Sequence, residues 1–274
     1  METSKISIAF ASDLHLPPFY SNRRDDALYF PPEADVIILA GDIAVGNLAA
    51  EEALNLAERY PNSHVVQIAG NHEFYYKSIE QQIEYYRSAC ADHDRVHFLE
   101  NACVELFGVR FIGCTLWTDF TILGEPELAI QEAEASIADF RFIQSRAGAP
   151  IKPKDIARKF EESYRFLDDQ LSAGDPDRTV VITHFPPGMR TCNPNFEVDP
   201  ITAYFQANVD YLIENYQPKI WVYGHNHYSA DQTVGRTRIV SNQLGYPSEF
   251  GRIPAYDPQK MIILETGADH DVEL

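Results

Sequence analysis

The stretch Asp35-Val-Ile-Ile-Leu-Ala-Gly-Asp42 decides how the chain is organised. Its apolar run, Val36 to Ala40, has no polar interruption and is too short for an ordinary helix. A strand with one wet face alternates, whereas a strand covered on both faces is apolar throughout. The same kind of run recurs on either side, at Lys5 to Ala11 and at His64 to Ala69, and Leu48 to Tyr60 between the last two carries helical spacing. A β-α-β rhythm of this sort predicts a layered α/β protein whose ligands gather at strand ends. Further along, Ser78 to Ala89 reads as a helix, and Cys103 to Phe107 with Val109 to Cys114 reads as a hairpin about Gly108. Glu127 to Phe142 and Lys154 to Leu171 have helical periodicity, giving a mainly helical insert around 120–172 that suits a lid or an outer layer. Strands return at Thr179 to Thr183, Lys219 to Tyr223, Thr237 to Ser241 and Lys260 to Glu265. With no repeat and no linker composition, residues 1–274 are expected to form one domain of two packed sheets with helices outside.

Composition narrows the function. Of 274 residues, 45% are hydrophobic and 23% charged, which suits a globular chain and excludes disordered, collagen-like and coiled-coil readings. No apolar run approaches the roughly 18 residues of a membrane span. The first residues, with Glu2 beside Lys5, lack the features of a signal peptide, so a cytoplasmic location is expected. Cys90, Cys103, Cys114 and Cys192 show no paired spacing, and buried free thiols are the expectation. The balance of 22 basic against 41 acidic residues, net −19, disfavours nucleic-acid and membrane partners, which need a basic face.

Five short motifs follow strand-like runs: Ser12 to His15, Gly41 with Asp42, Gly70 to Glu73, Thr183 with His184, and Gly224 to His227. They contain five of the nine histidines, with Asp13, Asp42 and Asn71. One histidine at a strand end is ordinary; five, in company with hard oxygen donors and no thiolate, point to Mn, Fe, Zn, Ni or Co. Alternation lets Asp13 and His15 face one ion, and a carboxylate such as Asp42 can bridge two cations roughly 3.5 to 4 Å apart.

The ordered set D-x-H, GD, GNH(D/E), H and GH-x-H, running from Asp13 to His227, resembles the calcineurin-like metallophosphoesterase superfamily. The resemblance implies an α/β fold, a four-layer αββα sandwich of two mixed β-sheets flanked by helices. It also implies a centre of two divalent transition-metal ions. Residue by residue, it assigns Asp13, His15, Asp42 and His227 to one ion and Asp42, Asn71, His184 and His225 to the other. His72 becomes the acid beside the leaving group, and Glu73 the carboxylate that orients it. The implied reaction is hydrolysis of a small phosphomonoester or phosphodiester, by in-line attack of a metal-bridging hydroxide. A scaffold that has kept the fold is the alternative, and a nuclease a weaker one, because acidic residues outnumber basic ones in the insert. The second block, GDIAVGN at Gly41 to Asn47, departs from the GD-x-VDRG of protein phosphatases and lacks their arginine. Arg23, Arg24, Arg141 and Arg190 are the candidates to replace it from loops. Phe74 to Tyr76 and Trp117 to Phe120 stand evenly between core packing and gripping the organic part of a substrate, while Asn226 and Tyr228 are candidates for substrate contact.

Overall fold

The computed structural model describes residues 4–17, 26–252 and 254–266. Among the described residues, eleven strands form two mixed sheets. In chain order they are β1 Ser4–Ala11, β2 Val36–Ala40, β3 His64–Ile68, β4 Val96–Phe98, β5 Ala102–Leu106, β6 Val109–Cys114, β7 Thr179–Thr183, β8 Ile220–Val222, β9 Asp231–Val234, β10 Thr237–Val240 and β11 Met261–Thr266. The first sheet runs β11-β1-β2-β3-β4 and the second β5-β6-β7-β8-β10-β9. In the first, β1, β2, β3 and β4 are mutually parallel and β11 pairs antiparallel with β1. In the second, β6, β7, β8 and β10 are parallel, and β5 and β9 close the two edges antiparallel.

The apolar runs of the sequence are explained by burial on both faces. In β2, Val36, Ile38 and Ala40 join Ile6, Ile8, Phe10, Val66, Phe111, Val180, Ile182 and Val222 in a core between the sheets. The alternate residues Ile37 and Leu39, like Ala9, Val65, Val181 and Trp221, belong to a second core that includes the helices. Those helices are α1 Leu48–Arg59, α2 Ile79–Cys90, α3 Pro126–Ser136, α4 Asp139–Phe142, α5 Pro153–Ala173, α6 Thr202–Phe205 and α7 Asp210–Tyr216. Helices α1 and α2 pack on β3 and β4, and α5 packs on β6 and α7. Two mixed sheets flanked by helices are therefore the observed fold.

Local sequence sets the ends. Ser78 caps α2 by accepting a hydrogen bond from the Gln81 N–H, and Pro153 opens α5 at a position where its missing N–H costs nothing. The helix expected over Glu127 to Phe142 is broken: Ile137 is extended (φ −80°, ψ 133°), and α4 restarts at Asp139. Strands β4 and β9 and helices α6 and α7 add to the elements expected. β9 (DQTV) is a polar edge strand without the apolar run that marks the others. The cysteine expectation needs correcting. All four thiols are free, but Cys103 is exposed and Cys192 only partly buried; Cys103 sits on the edge strand β5. Among the described residues, no helix is long and apolar enough to cross a membrane.

Candidate metal centre

Because β1, β2 and β3 are parallel, and β7 and β8 likewise, their carboxyl ends open at common edges. The five motifs follow those ends and meet. Backbone hydrogen bonds hold the loops together: the Asp13 N–H donates to Gly41 O at 3.0 Å, the His15 N–H to Asp42 O at 3.0 Å, and the Gly224 N–H to His184 O at 2.9 Å. The turns are tight enough that Asp13, His15, Asp42, His225 and His227 all have positive φ, between 44° and 77°. Non-glycine residues avoid that region, and strain of this kind gathers where function fixes a side chain. At Gly70 a Cβ would lie 2.2 Å from Asp42 Oδ1 and 2.7 Å from His184 Cε1, so only glycine lets the two loops approach.

Among the described residues, side chains form three overlapping groups, each with donor atoms within 4.8 Å of one another: Asp13, His15 and His227; His15, Asp42 and His72; and Asp42, His184 and His225. Such His/Asp groups are able to bind metal. Asp42 joins the second group to the third. Its Oδ2 lies 3.9 Å from His15 Nε2 and 3.8 Å from His72 Nε2, while Oδ1 lies 3.5 Å from His184 Nε2. His15 and His227 approach through their Nε2 atoms at 3.1 Å, and His227 Nε2 is 3.4 Å from Asp13 Oδ1. Asn71 Oδ1 lies 3.1 Å from His184 Nε2.

The far sides of the rings are held by acceptors. His184 Nδ1 donates to the Ala40 carbonyl at 2.9 Å, and His227 Nδ1 to Glu249 Oε2 at 2.5 Å, which turns each Nε2 toward the cluster. His225 Nε2 is buried with no hydrogen-bond partner. An orphaned imidazole nitrogen beside carboxylates and other imidazole nitrogens fits a cation that completes the shell.

Electrostatics agree. Burial would raise the Asp42 carboxyl, but His72 and His184 hold it well below the usual range. Burial also opposes charge on His184 and His227; neighbouring Asp42 nonetheless lifts His184 to about 9, and Asp13 with Glu249 lifts His227 to about 10. His15 and His225 are pushed well below the ordinary imidazole value by burial, reinforced by His72 for the former and His184 for the latter.

All nine expected site residues lie in or against this cluster, with one correction. The resemblance gives Glu73 the task of orienting His72, but its carboxylate accepts the backbone N–H groups of Asp42, Ile43 and Gly70 at 2.8 to 2.9 Å. It ties the ends of β2 and β3 together, and burial with nearby Asp42 pushes its carboxyl up to about 8. His72 is positioned otherwise. Its N–H donates to Asp42 Oδ1 at 2.9 Å, its ring stacks on Tyr75 at 4.3 Å, and Tyr246 Oη lies 3.3 Å from its Nε2. Sequence reasoning passes over Glu249, Tyr246, Asp139 and Tyr204, which stand in loops and short helices without a motif.

The centre opens into a cavity of 490 Å³, lined among others by Ile137, Phe196, Val198, Ile201, Phe205, Asn226 and Tyr246. Among the described residues, no lysine or arginine lines it. Arg190 is paired with Glu214 at 2.5 Å, Arg141 is exposed and outside the lining, and Arg23 and Arg24 lie outside the described residues. Trp117 and Phe120 are buried core, with Trp117 between Phe74 and Phe185. Asn226 lines the cavity while its amide is tied to Thr191 O and Gln243 Nε2, and Tyr228 is outside the lining.

Comparison with known proteins gives concordant results. A profile of the calcineurin-like phosphoesterase family matches residues 6–229. An uncharacterised protein, L509, of Acanthamoeba polyphaga mimivirus is 25% identical over 207 residues, 70% of this chain and 71% of that one. Among solved structures, phosphopantetheinyl hydrolase (PptH) from Mycobacterium tuberculosis superposes with a TM-score of 0.73 at 19% identity, over the whole of both chains. The protein TT1561 of Thermus thermophilus superposes with a TM-score of 0.50 at 14% identity, over 90% of this chain and 92% of the other. At these identities the two structures speak to fold alone.

Proposed function

The chain belongs to the calcineurin-like phosphoesterase family of metal-dependent phosphoester hydrolases, and from that premise we propose that it is a dinuclear-metal enzyme acting on a small phosphomonoester or phosphodiester. In this reading residues 1–274 are one domain, with α3 to α5 as its helical insert. Asp13, His15, Asp42 and His227 hold one ion, and Asp42, Asn71, His184 and His225 the other, drawn from Mn, Fe, Zn, Ni or Co. The observation that carries the reading is Asp42, whose Oδ2 lies 3.9 Å from His15 Nε2 and whose Oδ1 lies 3.5 Å from His184 Nε2. Bound divalent ions supply the positive charge for phosphoryl oxygens and acidify water.

The chain's own groups do the rest. His72, fixed by Asp42, Tyr75 and Tyr246, is placed to hand a proton from Nε2 to a departing oxygen, a contribution typically worth roughly 10² to 10⁴ in rate. Phe196, Ile201 and Phe205 offer apolar surface to the organic part of the substrate, and 490 Å³ suits a small molecule. The absence of lysine and arginine from the described lining disfavours a nuclease, which needs cations along its track.

The test is hydrolysis by metal-stripped protein of p-nitrophenyl phosphate and bis-p-nitrophenyl phosphate, with Mn, Ni or Zn added back. Turnover that is restored by metal and drops by roughly 10² or more in His72→Ala supports the proposal. No turnover of either ester with any of the three ions counts against it.

A further inference from the structure

A carboxylate outside the motif blocks sits beneath the centre. Asp139, at the first residue of α4, is 1% exposed and yet surrounded by donors. Its Oδ1 accepts from Asn71 Nδ2 at 3.0 Å and from the Tyr75 hydroxyl at 2.9 Å, and its Oδ2 accepts from the Tyr204 hydroxyl. The break at Ile137 that interrupts the helical stretch is what turns this residue inward. Each partner in turn touches the cluster. Asn71 presents Oδ1 to His184, Tyr75 stacks on His72, and the Tyr204 ring meets His225 edge-on at 5.6 Å.

An amide has a donor end and an acceptor end, and only the acceptor end can bind a cation. Without a fixed partner Asn71 has two nearly isosteric orientations, one of which would turn N–H groups toward the metal. An acceptor-only carboxylate can pair with the NH₂ end alone, so its position dictates where the oxygen goes. We propose that Asp139 is a positioning residue that selects the metal-binding orientation of Asn71 and thereby sets the affinity of the second ion. The helical stretch Pro126–Phe142 thus takes part in building the centre. The inference rests on the proposed role of Asn71 as a metal ligand.

The experiment is titration of metal-stripped protein with Mn²⁺ by calorimetry, reading the number of ions bound and the affinity of each, with metal-free thermal unfolding as a control for folding. Asp139→Asn is expected to leave the first ion in place and weaken the second about 10- to 100-fold, the scale seen when the hydrogen-bond partner of a metal ligand is lost. The exchange Asn71→Asp with Asp139→Asn reverses donor and acceptor, keeps an oxygen facing the ion, and is expected to recover most of that loss. Asn71→Asp alone controls for the added ligand charge: a role in packing alone predicts that this substitution changes the affinity by the same factor whether residue 139 is Asp or Asn, whereas the positioning role predicts a gain only beside Asn. Unchanged Mn²⁺ affinities in Asp139→Asn, or a loss that the double variant fails to recover, overturn the proposal. Asn71→Ala separates the premise from the inference. If it retains both ions at wild-type affinity, Asn71 is not a ligand and both fall; if it loses the second ion while Asp139→Asn does not, only the positioning role falls.

Discussion

Replacing Gly70 by alanine should damage metal binding far more than folding, and the structure allows the size to be worked out. The added Cβ would lie 2.2 Å from Asp42 Oδ1, 2.6 Å from Asp42 N and 2.7 Å from His184 Cε1. Ordinary van der Waals contact begins near 3.4 Å, so Asp42 or the Gly70 turn must shift by about 1 Å. Overpacking a filled interior costs roughly 1 to 3 kcal/mol. At about 2 to 4 °C per kcal/mol for a chain of this size, that lowers the metal-free midpoint by about 2 to 12 °C. Metal sites tolerate ligand displacements of only about 0.2 Å, and a misplacement of about 1 Å at an active site can cost around 10². At a free Mn²⁺ concentration of about 100 times the wild-type dissociation constant, the ion stabilises the native protein by about 2.7 kcal/mol. With affinity weakened about 100-fold, the same concentration yields RT ln 2, about 0.4 kcal/mol. Thermal unfolding with and without Mn²⁺ reads both numbers. Gly124→Ala, with φ +78° and open space at its Cβ, is the control that strains the backbone without touching the centre. A Gly70→Ala protein that keeps the full Mn²⁺-induced rise in midpoint would refute the packing argument.

Other consequences follow from the same contacts. Glu249→Gln removes the carboxylate that holds His227 Nδ1, and metal affinity should fall about 10- to 100-fold in a calorimetric titration, with a lower metal-free midpoint at neutral pH as well, because Glu249 is one of the two carboxylates that raise His227. Metal uptake should release protons: His184 and His227, raised to about 9 and about 10, are protonated at pH 7 without metal and must be neutral to bind it. Calorimetry in buffers of differing ionisation enthalpy should give close to two protons released at pH 7, and affinity rising with pH; no release would contradict the assignment. In the metal-free protein the same raised values make their stabilisation complete below about pH 6.5 and lost as pH climbs through 9 to 10, so the unfolding midpoint should fall over that range. Trp117→Ala, which empties a fully packed site between Phe74 and Phe185, should cost about 3 to 5 kcal/mol in denaturant unfolding.

Much of this arrangement is legible in the sequence because each donor block follows an apolar strand. Parallel strands such as β2 and β3 are covered on both faces, so their runs stand out, and their ends fall on a shared edge where chemistry collects. Asp13, His15, Asp42, Asn71, His72, His184, His225 and His227 are found that way. Glu73 shows the limit of the same reasoning. Its place in a motif identifies it as important, but only the fold reveals that it ties the backbone of Asp42, Ile43 and Gly70 together and leaves the His72 ring to Tyr75 and Tyr246.

What the sequence conceals are the residues that meet the centre from elsewhere. Asp139 lies within the stretch Glu127 to Phe142, which reads as ordinary helix, and nothing local distinguishes an inward aspartate from a solvated one. Its 1% exposure is a tertiary fact created by the break at Ile137. Glu249 and Tyr246 come from a short turn after β10, with no pattern to connect them to His227 or His72. Strand β9 is hidden for the opposite reason, because a polar edge strand has neither the apolar run nor the alternation that marks a buried one.

The central claim is that Asp42 joins two metal ions, and counting metal tests it most directly. Wild-type protein and Asp42→Asn, each stripped and reloaded with Mn²⁺ or Zn²⁺, would be freed of excess ion and assayed for bound metal per chain alongside hydrolysis of p-nitrophenyl esters. The expected result is two ions per wild-type chain, fewer in Asp42→Asn, and turnover lost with them. Two ions retained at wild-type affinity in Asp42→Asn, or no ion bound by the wild type, would contradict it.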